Sequence, residues 1–358
     1  MANKMQSYIK EQPAVLAKLV ADKSEKMQTV IHALGDRPIR RLILIGSGSS
    51  NYAAGMAGAF MERILGIEVF PVTPTGINES GLLTQNDTIY IAISQSGVST
   101  NTYSLVKRLK EKGKFVIGLT SNPISEIAGI CDQIVDIGCG EEKTGPKTKG
   151  VTATALMLCI IGLEISKDRG ILEMDDYNRY CLTLEKMAAD IADNITCSKE
   201  WYEANYKEFL NEKFTAVIGA GPDYFAACEG TLKMLETLYR PVCAYEFEEF
   251  LHGPHCLIGS DLRMILLLPQ NNDMLRMLRL KEYAQARGST VYTISAQDGE
   301  PEGKNALHLR QVSERFLDPL VKIIPFQILS AYLSESAGNN IDQPRFSGFS
   351  ATMGSKFN

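Results

Sequence analysis

No two of the eight cysteines stand in a C-x-x-C pair. Cys131, Cys139, Cys159, Cys181, Cys197, Cys228, Cys243 and Cys256 are scattered, several inside apolar runs, which reads as free thiols in a reducing compartment. Basic residues are in deficit, 37 Lys and Arg against 42 Asp and Glu, for a net charge of -5. There is then no broad basic face to release counterions, which argues against a nucleic-acid partner. A small anion would have to be held locally, by backbone amides and a few cations. Long apolar runs are missing too. The longest, Ala153 to Leu163, is too short to span a bilayer. The first residues, MANKMQSYIKEQPAVLAKLV, hold no long apolar core and no cleavage-like site, so no leader is expected. These absences predict a soluble cytoplasmic protein with no membrane partner. What is present is ample core-forming material: 358 residues, 45% hydrophobic and 22% charged, enough for two domains of ordinary size.

Apolar residues recur at helical spacing from Ile9 to Ile31, and Pro13 reads as a helix start. Residues 1–35 are therefore a helical segment. Short β-type runs follow at 40–45, 68–72, 88–94, 115–120 and 133–137. Helical patterns separate most of them, notably 99–112, and a long apolar helix over 148–165 closes the unit. Strand alternating with helix predicts a parallel sheet covered on both faces. Residues 170–210 are polar and helical with no strand, a connector. The first pattern then starts again, with strands at 214–218, 242–245, 263–268, 290–294 and 306–309 and helices at 223–239, 273–287 and 317–335. The domains are thus 36–169 and 211–337, with an irregular tail over 338–358 that could pack over a site.

Both halves open with an apolar strand, a G-x-G turn and a helix. In the first the turn is GSGSS, Gly46 to Ser50, where glycines admit a ligand to the backbone and the helix start offers free amides. A dinucleotide fingerprint would need glycine at Asn51, which turns the reading away from nicotinamide or flavin. SQSGVSTNT, Ser94 to Thr102, crowds hydroxyl and amide side chains at a strand end, where ligands of open α/β sheets bind. Its alternative is an elaborate helix cap. In EEKTGPKTKGVT, Lys147 and Lys149 could add positive charge to the same crevice or sit on a solvated loop. GAGPD at 219–223 lacks the serines, so one phosphate site per chain is expected, in the first half. The stretch from Leu232 to Ile258 carries Glu236 late in a helix and His252 before a Gly-Pro break, the carboxylate and imidazole that proton shuttling at a sugar carbon needs. A metal reading would draw on Glu246, Glu248, Glu249, His252 and His255. Gly253-Pro254 breaks any helix there and removes the i,i+4 facing of a metalloprotease pair.

SQSG at 94–97, EGTLKMLE at 229–236, EFLHGP at 249–254 and DQPR at 342–345, in this order, resemble motifs of the sugar isomerase (SIS) domain family in its tandem form. The resemblance covers residues 36 to 346. It implies two flavodoxin-like SIS domains, each an αβα three-layer unit on a five-stranded parallel sheet. Within the family, the chain is similar to the isomerase half of glucosamine-6-phosphate synthase and to fructosamine-6-phosphate deglycases. By resemblance, Ser49, Ser50, Ser94, Gln95, Ser96 and Ser99 bind the sugar phosphate and Thr148 contacts the sugar. Glu236 is the base between C1 and C2, Lys233 is its companion, and His252 opens the ring from a neighbouring subunit. A homodimer or larger homo-oligomer follows, with no cofactor and no metal. Two departures matter. The N-terminus shows no glutaminase domain and no cysteine at position 2. Phe349 stands where the synthase places a lysine that forms a Schiff base with the ketose, and Lys356 lies seven residues further on. A substrate already carrying nitrogen on C1 needs neither. The expectation is therefore a deglycase acting on a phosphorylated sugar-amine. The alternatives are an aldose–ketose phosphate isomerase or a glucosamine-6-phosphate deaminase-like enzyme and, in another class, a non-catalytic sugar-phosphate sensor.

Overall fold

The computed structural model describes residues 3–80, 87–211, 213–297 and 302–357. The chain divides into two compact units. One comprises Ala14–Glu142, Lys149–Glu185 and Pro344–Asn358, the other Met1–Pro13, Lys143–Thr148 and Lys186–Gln343. Each is built on one five-stranded parallel sheet with flanking helices.

In the first sheet, β1 (Arg41–Ile45), β2 (Glu68–Val72), β3 (Thr88–Ile93), β4 (Val116–Thr120) and β5 (Gln133–Asp136) lie in the order β2-β1-β3-β4-β5. All neighbours are parallel. β3 and β4 are buried along their whole length, as runs covered on both faces must be. One face packs Ile43, Ile45, Tyr90 and Ala92 against Ile77, Leu105, Val106 and Leu109. These come from α4 (Pro74–Ser80) and α5 (Thr100–Glu111). The remaining helices that frame this sheet are α3 (Ser49–Leu65), α6 (Lys149–Asp168) and, before them in the chain, α2 (Lys23–Leu34). The chain reverses its strand order between β1 and β3, so the GSGSS and SQSG loops meet at the topological switch point, where such sheets bind ligands.

The second sheet repeats the first. β6 (Phe214–Gly219), β7 (Val242–Glu246), β8 (Leu262–Leu267), β9 (Thr290–Ser295) and β10 (Ala306–His308) lie in the order β10-β9-β8-β6-β7. Read from β7, this is the order of the first sheet. The strand positions expected from the sequence match all ten to within two residues. Helices α8 (Asp223–Leu238), α10 (Asp273–Gln285), α11 (Asp318–Lys322) and α12 (Ile324–Ser336) are also in place.

Three local expectations change. Pro13 lies inside α1 (Lys4–Ala21) rather than at a helix start. The Ile9 carbonyl that a proline leaves open accepts the Gln12 side-chain amide at 3.5 Å, which makes the interior position tolerable. The helix expected over 317–335 is broken at Ile323, because Pro325 has no N–H to continue the ladder. The tail is not wholly irregular, for α13 (Phe349–Thr352) adds one turn. The connector is a single 37-residue helix, α7 (Met174–Leu210). By length and composition, α6 and the segment Arg315–Ser336 could cross a membrane. Their most apolar windows are 100% and 89% buried, so both are core helices.

Candidate active site

Glu236 is presented by α8. Gly230 brings this helix hard against α12: a Cβ there would fall 2.4 Å from the Phe326 ring. On the same helix Glu229, Lys233 and Glu236 follow one another at i, i+4 and i+7, so all three share a face. Lys233 is buried, with its ammonium 2.5 Å from Glu236 Oε2 and 3.5 Å from Glu229 Oε1. Burial pulls the Lys233 ammonium down, but Glu229 and Glu236 outweigh it, and the group ends above its ordinary value. Lys233 therefore stands as a cation between two carboxylates. It holds one side of the Glu236 carboxylate, while 35% of the Glu236 side chain stays open. Below the pair, Thr237 Oγ1 donates to the Lys233 carbonyl at 2.8 Å, and Asn339 Nδ2 donates to the Thr237 carbonyl at 2.9 Å. Glu229 is a site residue that sequence reasoning passed over, although it opens the EGTLKMLE motif.

β7 is an edge strand of its sheet. Glu246, its last residue, caps α9 (Phe247–Leu251) by accepting from Glu248 N at 2.7 Å and Glu249 N at 3.3 Å. His252 follows α9 and is exposed. Gly253, at φ 129, then turns the chain into a short helical turn at Pro254–Leu257. Glu246 thus serves as a helix cap, and Glu248 pairs with Arg276. Among the described residues no three His, Cys, Asp or Glu side chains form a group that could hold a metal ion.

In the other unit the hydroxyl-rich loops meet. Gly97, at φ 72, closes the turn after β3, and a Cβ there would fall 1.9 Å from Ser125 Oγ. Ser94 is buried and Ser96 exposed. Gln95 is half-buried, its amide donating to Glu142 Oε2 at 2.8 Å, and the same oxygen accepts from Gly150 N at 3.1 Å. Ser49 and Ser50 open α3. Ser99 caps α5 by position only. Its hydroxyl donates to Asn101 Oδ1 at 2.8 Å, and that oxygen takes the Thr102 amide at 2.7 Å. Asn101 Nδ2 in turn donates to Ser47 Oγ at 3.0 Å, tying the two loops together. A cavity of about 710 Å³ opens there, lined in part by Ser47, Gly48, Ser99 and Ser104. Asn101 and Glu142 are the residues missed here. Both lie inside motifs already picked out, but their role as braces depends on contacts that spacing does not reveal.

Thr148 belongs to the other unit and is fully buried, its carbonyl accepting from Gln327 Nε2 at 3.3 Å. Lys147 donates to the Thr144 carbonyl at 2.9 Å, and Lys149 is buried at the start of α6. Among the described residues the second sheet offers no open counterpart of the hydroxyl loops. At its switch point Lys322 is fully buried, with its ammonium 2.7 Å from Asp223 Oδ2, 3.3 Å from Asp318 Oδ2 and 2.8 Å from the Leu268 carbonyl. Asp223 is the first residue of α8, so the position where an incoming anion would meet helix amides carries the protein's own carboxylate.

The chain spans 52% to 58% of the length of the curated relatives it resembles. These include glutamine–fructose-6-phosphate aminotransferase (isomerizing) of Pseudomonas syringae pv. tomato, 25% identical over 96% of this chain. The same-named protein of Shewanella oneidensis is 28% identical over 96%. Among solved structures, a Clostridium difficile 630 protein provisionally named a phosphosugar isomerase is 27% identical, covers 100% of this chain and 99% of its own, and superposes with a TM-score of 0.89. The C-terminal domain of glucosamine-fructose-6-phosphate aminotransferase from Francisella tularensis shares the fold at 21% identity, over 96% of this chain and 98% of its own, with a TM-score of 0.85. The SIS domain model matches twice, at residues 37–161 and 208–334. The chain belongs to the SIS domain family, with two such domains in tandem.

Proposed function

We propose that the chain is a phosphosugar-processing enzyme of the cytoplasm, and specifically a fructosamine-6-phosphate deglycase. The observation that carries the reading is the Glu236 carboxylate, held on one side by buried Lys233 and open on the other. A base so held can take a proton from C1 of a ketosamine, giving an enaminol, and return one to C2, leaving an imine at C1. Water then adds to the imine carbon and the C1–N bond breaks, releasing the amine and glucose 6-phosphate. Lys233 keeps a positive charge beside the reacting carboxylate throughout. Ser49, Ser50, Ser94, Gln95, Ser96 and Ser99 are assigned to the phosphate, Thr148 to the sugar, and His252 to ring opening. These steps draw on the substrate nitrogen and a carboxylate. Phe349 at the position of the Schiff-base lysine favours a substrate that arrives with nitrogen on C1.

The test is a product assay over 6-phosphorylated fructosamines carrying different amino acids. Release of glucose 6-phosphate with the free amine is expected for at least one. Interconversion of ketose and aldose phosphates with no action on any ketosamine would favour the isomerase reading, consistent with the names of the relatives.

We further propose that His252 acts on the site of a second copy of the chain. The support is its exposure beyond an edge strand together with the family resemblance. Mixing Glu236→Gln and His252→Asn chains, each inactive alone, should restore part of the activity. No recovery after verified hetero-oligomer formation would place both residues in one chain's site.

A further inference from the structure

The C-terminal tail is seated on the hydroxyl loops of its own unit. Lys356 pairs with Ser99 in an antiparallel bridge. Phe357 N donates to the Val98 carbonyl at 2.9 Å, and Thr100 N donates to the Ser355 carbonyl at 3.3 Å. Thr100 Oγ1 donates to the Gly354 carbonyl at 2.7 Å. The Phe357 ring meets Tyr103 edge-on, with centroids 5.0 Å apart. The two hydrogen bonds of the bridge, the Thr100 hydroxyl and the aromatic pair thus hold the chain on either side of Lys356, and none uses its side chain. The Lys356 side chain is exposed and lines the 710 Å³ cavity with Ser47, Gly48, Ser99 and Ser104. It is the one charged side chain among the residues lining that cavity, and it makes no ion pair among the described residues.

We propose that Lys356 is a substrate-binding residue whose ammonium neutralises the phosphate of a sugar phosphate held between the GSGSS and SQSGVST loops. The proposal rests on the assignment of the two hydroxyl loops to the phosphate and deepens it: of the residues so assigned Ser99 lines this cavity, and the phosphate is taken to reach it there. Hydroxyls alone can donate to a phosphate but leave its charge uncompensated. A lysine fixed through its backbone supplies that charge and stays free to follow the ligand.

Binding of glucose 6-phosphate and of inorganic phosphate to the full chain, followed by titration calorimetry at low and high salt, tests this. Lys356→Met keeps the backbone bridge and should weaken both probes by roughly tenfold or more, the usual scale for a charge-assisted hydrogen bond. The salt dependence of binding should flatten in the same variant. Lys356→Arg should recover most of the affinity, and all variants should melt with the wild type. If Ser99→Ala weakens binding while Lys356→Met leaves it unchanged, Lys356 is not a binding residue although the phosphate reading stands. Equal loss in Lys356→Met and Lys356→Arg would trace the effect to tail seating rather than charge and would overturn the proposal. A wild-type chain that binds neither probe would remove the phosphate reading itself.

Discussion

Glu236→Gln is expected to lower kcat on a confirmed substrate by roughly 10²–10⁴-fold, the usual contribution of a positioned general base. The substitution keeps the shape of the side chain, and the glutamine amide oxygen can still accept from Lys233. The lysine also keeps Glu229, 3.5 Å away, as a counter-charge, so its ammonium is not left alone in a buried site. Helix α8 is held by the close approach of Gly230 to Phe326, which the change does not touch. KM should move little, because the hydroxyls assigned to the phosphate are on other elements and bind ground state and transition state alike. Measuring kcat, KM and melting temperature on one preparation separates these effects. Turnover near the wild-type rate would mean that Glu236 is not the base.

Lys322→Met should strongly destabilise the second domain. Lys322 is the sole cation of a buried triad with Asp223 and Asp318, which carries one net negative charge when all three groups are ionised. Burial pushes the Asp318 carboxyl up, Lys322 pulls it back and Asp223 adds to the rise, leaving it at about 7. Asp223 also ends above its ordinary value, burial again outweighing Lys322. Gln270 Nε2 donates to Asp318 Oδ1 at 2.8 Å and holds that carboxyl in place. Without Lys322 two carboxylates stay buried with no counter-charge, a loss of about 3–5 kcal/mol. The sign with pH follows from the raised carboxyl. In the folded chain it binds a proton more tightly than in the unfolded chain, whose value is about 3.9. Its contribution to stability is therefore full in acid, declines between about pH 4 and 7, and is gone above the folded value. The triad as a unit should make the wild-type chain gain stability from pH 8 to pH 6. In Lys322→Met the loss should be larger at pH 8 than at pH 6, because protonation relieves the two carboxylates. Denaturant unfolding of both chains at the two pH values reads this, and an equal loss at both would show that the triad does not titrate.

The ten strands were legible because each is a short apolar run bounded by turn residues, and a parallel sheet buried on both faces leaves no other pattern to confuse it with. The two-fold repeat was legible for the same reason. Pro13 misled because a proline inside a helix is expensive, and only the tertiary setting shows the Gln12 amide at the Ile9 carbonyl. In the candidate site, Glu236 was readable from its place late in a helix and Lys233 from the family resemblance, while Glu229, although it opens the same EGTLKMLE motif, gave no sign of being buried beside Lys233. The Asp223–Asp318–Lys322 triad was not readable, since Asp223 and Lys322 lie 99 residues apart in the chain. The same triad gives a physical reason for expecting the phosphate in the first domain: GAGPD not only lacks serines, it brings its own carboxylate. The tail looked irregular because its order comes from backbone pairing with residues 98–100, which side-chain pattern does not encode.

The central claim is that a proton leaves C1 of a phosphorylated ketosamine. It is tested most directly with a 6-phosphorylated fructosamine bearing two deuterium atoms at C1, with products read by NMR and mass spectrometry. The account predicts glucose 6-phosphate with a single deuterium at C1, the other having moved to C2 or to solvent, and almost no product from Glu236→Gln. Release of the amine with fructose 6-phosphate that keeps both deuterium atoms would contradict it, because the C1–N bond would then break without proton removal at C1.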